Sequence, residues 1–289
     1  IGNGTSLTSR VIKGMCKEAE YVLFTTATPL RIMPNQLVNQ IDMIDRNYLA
    51  ESPKDYVRQF EVKNSEGEVV SYKGLSRIGE DVKYRYVGFT REDLGMRGNY
   101  KTKLVLGEPT LKHLQASRKD MHKVIKGDSN SDGFNKLKAE LERLKSEGKK
   151  GLVYCNTNDN KRMLLEEFKK EGLTVEVIDG SISRKEDRPL AEERFNRGEI
   201  DVVITNITTG LNLQCDFIIF WELTLDVKQM VGRGERGLSG NDLEIIFFIT
   251  KDTVEEEYFV QNIYMRGLIL KEVLGKDIEE IETIMRKLG

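Results

Sequence analysis

From Asp132 to the end of the chain two hydrophobic periods alternate, and this alternation restricts the fold more than any other feature. Phe134, Leu137, Leu141 and Leu144 recur at three- and four-residue spacing within Phe134–Lys145, the period of a helix with one buried face. Gly151–Cys155 then runs apolar without a break, as a strand covered on both faces does. The spacing next predicts a helix over Arg162–Lys170 closed by Gly172, a strand over Thr174–Ile178, a turn at Asp179–Ser183 and a helix over Arg184–Asn196. Strands over Asp201–Thr205 and Phe217–Trp221, a helix over Leu225–Val231 and a strand over Leu243–Ile249 follow. Thr253–Leu288 reads as mostly helix. Apolar strands separated by helices imply an α/β fold, a parallel sheet flanked by helices on both faces.

The first hundred residues are patterned differently. Tyr21–Thr25 reads as a buried strand preceded by a helix, and Met33, Leu37, Ile41 and Ile44 as one helix face. Phe60–Tyr72 predicts a β-hairpin turning at Asn64–Gly67. Thr110–Ser131 is polar and leads into a Gly-Asp-Ser-Asn-Ser-Asp-Gly run, which predicts a linker. Two parts are therefore expected, 1–127 and 128–289.

Composition narrows the class. With 39% apolar and 32% charged residues in 289, the chain can bury one or two cores and is not a disordered one. No apolar run reaches membrane-spanning length and no signal peptide opens the sequence. Cys16, Cys155 and Cys215 are few and odd in number, the usage of a reducing compartment, so a cytoplasmic or nuclear (nucleoid) rather than secreted protein is expected. Two histidines and no cysteine cluster give no reason to expect a metal site. The net charge of −2 supplies no global footprint for a polyanion, so any phosphate backbone must be met by local patches.

The chemistry-bearing segment is Gln229-Met-Val-Gly-Arg233-Gly-Glu-Arg236-Gly. Arginines three residues apart share one helix face, and guanidinium matches pairs of phosphate oxygens. At a transferring phosphoryl group such an arginine contributes roughly 10³–10⁵ in rate. The bland reading of the same pair is a surface salt bridge. Gly232–Gly237 also satisfies G-x-G-x-x-G, but that fingerprint needs a strand before it, and Leu225–Val231 reads as helix. Neither a G-x-x-x-x-G-K-[ST] phosphate loop nor an Asp-Glu-x-His box occurs in the chain. Trp221 reads as core, and Cys155, with no histidine near it in sequence, not as a nucleophile. Lys161 and Arg162, and the cluster Arg184, Lys185 and Arg188, fit basic patches or ordinary surface charge equally well.

The order of segments resembles a known family. Lys150–Cys155, Asp179–Ser181, Ile204–Leu213 and Gln229–Arg236 follow one another as motifs IV to VI do in superfamily 2 helicases. Leu23–Leu30 is similar to motif III, and Gly210-Leu-Asn-Leu213 with the strand after Asp216 to motif V, in the wording of Swi/Snf-type DNA translocases. Gly2–Ser6 resembles the loop after that family's acidic box. The departures are a shortened motif V with Thr208 and Thr209 where glycines are usual, Glu235 after Gly234, and no Gly-Gln after Arg236.

The resemblance implies that 128–289 is a RecA-like second motor lobe. It would be preceded by the tail of a first RecA-like lobe, about 1–45, and an inserted α+β segment. ATP and Mg2+ would be bound mainly by the other lobe. Arg233 and Arg236 would reach the ATP phosphates, Gln229 would orient their helix, and Gly210 and Asn212 would lie by the cleft. Thr26, Thr28, Asn156, Thr157, Thr205, Arg184 and Arg188 would meet nucleic acid, above all double-stranded DNA, through its backbone. Strand-end hydrogen bonding is the alternative for Thr205 and Asn212. With the phosphate loop and acidic box missing, the chain is expected to be the C-terminal part of an ATP-dependent, nucleic-acid-stimulated helicase or translocase. Alone it would be inactive, its partner being the N-terminal lobe. A non-catalytic nucleic-acid-binding or regulatory module and half of an RNA helicase are the alternatives. A nucleotide-sugar transferase would leave the motif order unexplained.

Overall fold

The computed structural model describes residues 6–25, 33–46, 48–50, 52–87, 100–181, 187–207, 210–234, 242–275 and 278–288, with the side chains of 233 and 234 excepted. The chain opens with α1 (Leu7–Glu18), α2 (Pro34–Ile44), α3 (Pro53–Arg58), the hairpin β1 (Glu61–Lys63) and β2 (Val69–Tyr72), and α4 (Leu75–Val82). Next come β3 (Tyr100–Gly107), α5 (Leu111–Leu114), a π-helical turn (His122–Lys126), α6 (Asp132–Ser146), β4 (Gly151–Tyr154) and α7 (Asn158–Lys170). Then follow β5 (Val175–Ile178), α8 (Asp187–Asn196), β6 (Val202–Thr205), β7 (Phe217–Phe220), α9 (Val227–Gly234) and β8 (Leu243–Thr250). The chain closes with α10 (Val254–Tyr258), a second π-helical turn (Phe259–Tyr264), α11 (Met265–Leu274) and α12 (Glu279–Leu288). No described helix is long and apolar enough to cross a membrane.

Two compact units result. One comprises 1–94 with 264–278, the other 95–263 with 279–289. The first is built from helices: Leu37, Val38 and Ile41 of α2, Tyr56 and Val57 of α3, and Leu75, Ile78 and Val82 of α4 close on Ile269, Leu270 and Val273 of α11. α4 meets α11 so closely that a Cβ at Gly79 would lie 2.5 Å from the Val273 carbonyl oxygen, so only glycine fits. The hairpin forms where the sequence predicts it, with Gly67 N–H donating to the Asn64 carbonyl. Tyr21–Thr25 does not form the expected buried strand: Tyr21 and Leu23 are 86% and 85% exposed. An apolar run becomes a strand only where a neighbour takes its backbone bonds, and among the described residues no strand pairs with it.

The second unit holds a six-stranded sheet in the order β3-β8-β7-β4-β6-β5, every pairing parallel. It is the RecA-like α/β arrangement expected. Phe134, Leu137, Leu141 and Leu144 of α6 and Leu164 and Phe168 of α7 are buried with Val153, Ile204, Ile219 and Phe248 from the sheet. Ser131 caps α6 by accepting from Phe134 N–H at 3.1 Å. At Gly151 a Cβ would fall 2.3 Å from the Phe217 carbonyl oxygen, which excludes any larger residue where β4 passes β7.

β3 was not legible in the sequence. It is an edge strand that alternates Lys101 and Lys103 with half-buried residues instead of running apolar. Its Thr102 and Leu106 carbonyls accept from Lys287 and Lys136, which blunts the edge. Nor is Thr110–Ser131 a linker. Met121 and Ile125 are buried, Lys126 is 1% exposed, and the segment lies inside the sheet unit, whose boundary falls at 94/95 instead of 127/128.

Candidate functional site

β4 leads through α7 toward β5 on one side, whereas its neighbour β7 leads through α9 to β8 on the other. Two adjacent strands whose connections diverge make a topological switch point, and ligands of open α/β sheets bind at the carboxyl ends of such strands. Here that place contains Glu222, two residues beyond β7 and wholly buried. Its Oε2 accepts from Asn156 N–H at 2.8 Å and Thr157 N–H at 3.2 Å. Its Oε1 accepts from the Thr157 hydroxyl at 2.7 Å, Asn160 Nδ2 at 2.6 Å and Cys155 Sγ at 3.4 Å.

A buried carboxylate is costly unless its lone pairs are filled, and these donors fill them. Thr157 is the N-cap of α7 but makes no side-chain cap, because its hydroxyl is spent on Glu222. The β7 carboxylate thus stands at the positive end of α7 in place of a local cap. Asn160 also donates to the His122 carbonyl at 2.9 Å, and His122 Nδ1 lies 3.7 Å from Glu222 Oε2. Burial, reinforced by Glu222, pushes the Cys155 thiol far above its ordinary range, so it stays protonated and is no nucleophile at neutral pH.

Asn156 and Thr157 are thereby placed at the switch point, Asn156 exposed and Thr157 half-buried. Thr205 ends the neighbouring β6, its carbonyl accepting from Cys155 N–H at 3.0 Å. Its side chain is fully buried and its hydroxyl accepts from Ile207 N–H, the strand-end bonding offered as the alternative. Gly210 is exposed with φ +78°. Asn212 is exposed and its backbone is tied to α8, its N–H donating to Glu192 and its carbonyl accepting from Asn196.

At the end of β5 the basic residues turn inward. Lys161 is buried and pairs with Asp179 at 2.6 Å, so it contributes to no surface patch. That ammonium, with the Ser181 hydroxyl and N–H, holds the Asp179 carboxyl down from its ordinary 3.8 to about 2. Arg188 is 6% exposed and donates to the Asp179 carbonyl at 3.3 Å. Arg162 remains exposed.

α9 carries a half-buried Gln229, and Arg233 one turn further on lies on the same face by helix geometry. Gly232 and Gly234 lie within this helix, not in the strand-to-helix turn a dinucleotide fingerprint requires. Lys228 anchors α9 to buried Glu280 of α12 at 2.8 Å. Thr26, Thr28, Arg184 and Arg236 lie outside the described residues. Sequence reasoning missed Glu222, although one carboxylate closing the apolar run Phe217–Trp221 was the available signal.

Residues 132–238 match the helicase conserved C-terminal domain. Among solved structures, the C-terminal domain of the DEAD-box protein Dbp5 is similar at 19% identity and a TM-score of 0.37, over 54% of this chain and 91% of that one. The Pyrococcus furiosus Hef helicase domain is similar at 21% identity and a TM-score of 0.37, over 45% of this chain and 27% of that one. No curated protein matches the chain. The segment that is similar to the helicase conserved C-terminal domain thus holds β4 to β7 and the arginine-bearing α9.

Proposed function

We propose that this chain supplies the arginine-bearing lobe of an ATP-driven motor that tracks along double-stranded DNA, of the Swi/Snf type. One observation carries the reading. The Asn156–Thr157 loop and the Gln229–Arg233 helix issue from the adjacent strands β4 and β7, on either side of one switch point. A lobe so built presents exposed Asn156 on one connection and phosphate-seeking arginines on the next.

In this reading Arg233 and Arg236 engage the ATP phosphates, with Gln229 on the same helix, while Mg2+ and most of the nucleotide belong to a phosphate-loop lobe. ATP supplies the phosphoryl group; the arginines offset charge developing on it, and closure of the cleft around DNA brings them into place. The chain has no phosphate loop, so alone it turns over no ATP.

The test is ATP hydrolysis by a polypeptide joining this chain to its phosphate-loop lobe, with and without duplex DNA. Duplex DNA is expected to stimulate hydrolysis. Arg233→Ala is expected to lower kcat by roughly 10³-fold while ATP binding is largely retained. Normal turnover by that variant would refute the arginine assignment, and stimulation by RNA instead of DNA would make the protein an RNA motor.

A further inference from the structure

We propose that Glu222 is a positioning residue that couples the Asn156–Asn160 segment to the arginine helix α9; this rests on the function proposed above. The carboxylate grips the start of α7 through two backbone N–H groups, a hydroxyl and a side-chain amide. Only residues 223–226 separate it from α9, and they are rigidly set. Leu223, Thr224 and Asp226 are 4%, 6% and 6% exposed. Thr224 accepts from Asp226 N–H at 3.1 Å. The Asp226 carbonyl then accepts from Met230 N–H within α9.

One side chain therefore joins the connection after β4 to the connection after β7 across the switch point. A nucleic-acid backbone that shifts Asn156 or Thr157 must shift their bonds to Glu222. The short buried span passes that displacement to the helix bearing Gln229 and Arg233. Among the described residues no lysine or arginine lies within 4 Å of Glu222, so its bonding depends on the loop's own geometry, not on a fixed counter-ion.

Glu222→Gln keeps the shape but turns an NH2 toward donors. Two measurements are made on it. In the two-lobe polypeptide, the ratio of DNA-stimulated to basal hydrolysis is expected to fall about tenfold, the size of one lost charge-assisted bond, with the half-stimulating DNA concentration rising in step. Glu222→Asp is expected to recover part of that ratio. In this chain, hydrogen exchange is expected to accelerate both at 156–160 and at 224–230.

Asn160→Ala removes a single donor and is expected to show the same pattern more weakly, which guards against a Gln variant that fails to fold. Exchange confined to 156–160, or stimulated and basal rates falling in parallel, would overturn the coupling. If exchange rises in both segments but the parent polypeptide ignores nucleic acid, the motor reading fails and the mechanical link stands.

Discussion

Two glutamates of the sheet unit are wholly buried, and they are stabilised in opposite ways. Glu255, on α10 after β8, pairs with Lys126 at 2.9 Å and accepts from Thr250 N–H at 2.9 Å. Lys126 also donates to the Phe248 carbonyl and lies over the Trp221 ring at 4.5 Å, while Trp221 Nε1 donates to the Lys126 carbonyl. Every partner there is a fixed element of the core. Glu222 has no lysine or arginine beside it among the described residues and is satisfied by neutral donors of the Asn156–Thr157 loop and the first turn of α7. A charge cancelled inside the core can only hold it together, whereas a charge satisfied by a loop reports that loop's position.

The comparison is broken most severely at Lys126. Lys126→Ala leaves Glu255 buried beside nothing that neutralises it, a loss of about 3–5 kcal/mol. Thermal unfolding is expected about 10 °C or more lower for a unit of this size. Replacing both partners by Lys126→Met with Glu255→Leu should recover most of that, because an apolar pair removes the charge as well as its partner. A double variant no more stable than the single one would show that the pair does more than cancel itself.

Glu222→Gln should cost less, about 1.5–3 kcal/mol, since no opposite charge is stranded and only hydrogen bonds to a carboxylate are lost. Chemical denaturation of both variants under one condition gives the ranking. Should Glu222→Gln prove the costlier, the loop is a stronger anchor than the ion pair and the contrast drawn here is reversed.

This contrast also explains what could be read from the sequence. β4, β6 and β7 are central strands, buried along their whole length, so a short unbroken apolar run identifies them. β3 escapes because an edge strand keeps its lysines, and Thr110–Ser131 misleads because its polar residues work inside: Lys126 on Glu255, and His113, 1% exposed, at 3.2 Å from Asp128. That Asn156 and Thr157 follow a central strand was legible from the order of motifs. Glu222 was not, since a charged residue closing a strand ordinarily reads as the return to solvent. Lys161 and Arg188 read as surface charge or a basic patch for the same reason, and only the fold shows them turned toward Asp179.

A half-buried acid sharpens the comparison by pH. Asp179, depressed to about 2 chiefly by Lys161, contributes stability that is present above its ordinary 3.8 and lost as pH falls through about 2. The contribution is about 1–2 kcal/mol. Asp179→Asn should therefore be less stable at neutral pH and should flatten the acid limb of the melting temperature between about pH 4 and pH 2. An unchanged acid limb would mean that the ion pair adds nothing beyond its solvation cost.

The smallest effect is chemical and reports on Glu222 directly. Alkylation needs a thiolate, and burial holds the Cys155 and Cys215 thiols far above their ordinary range, with Glu222 adding to the effect at Cys155 and Asp216 at Cys215. Of the three cysteines only Cys16 is partly exposed. Native protein should thus take one label at Cys16, and denatured protein all three. Cys155 donates to Glu222 at 3.4 Å, so opening the loop in Glu222→Gln should expose it and raise its labelling rate, whereas Cys215 should stay silent. Equal acceleration at both buried cysteines would signal global loosening, and the loop would then lose its claim to move on its own.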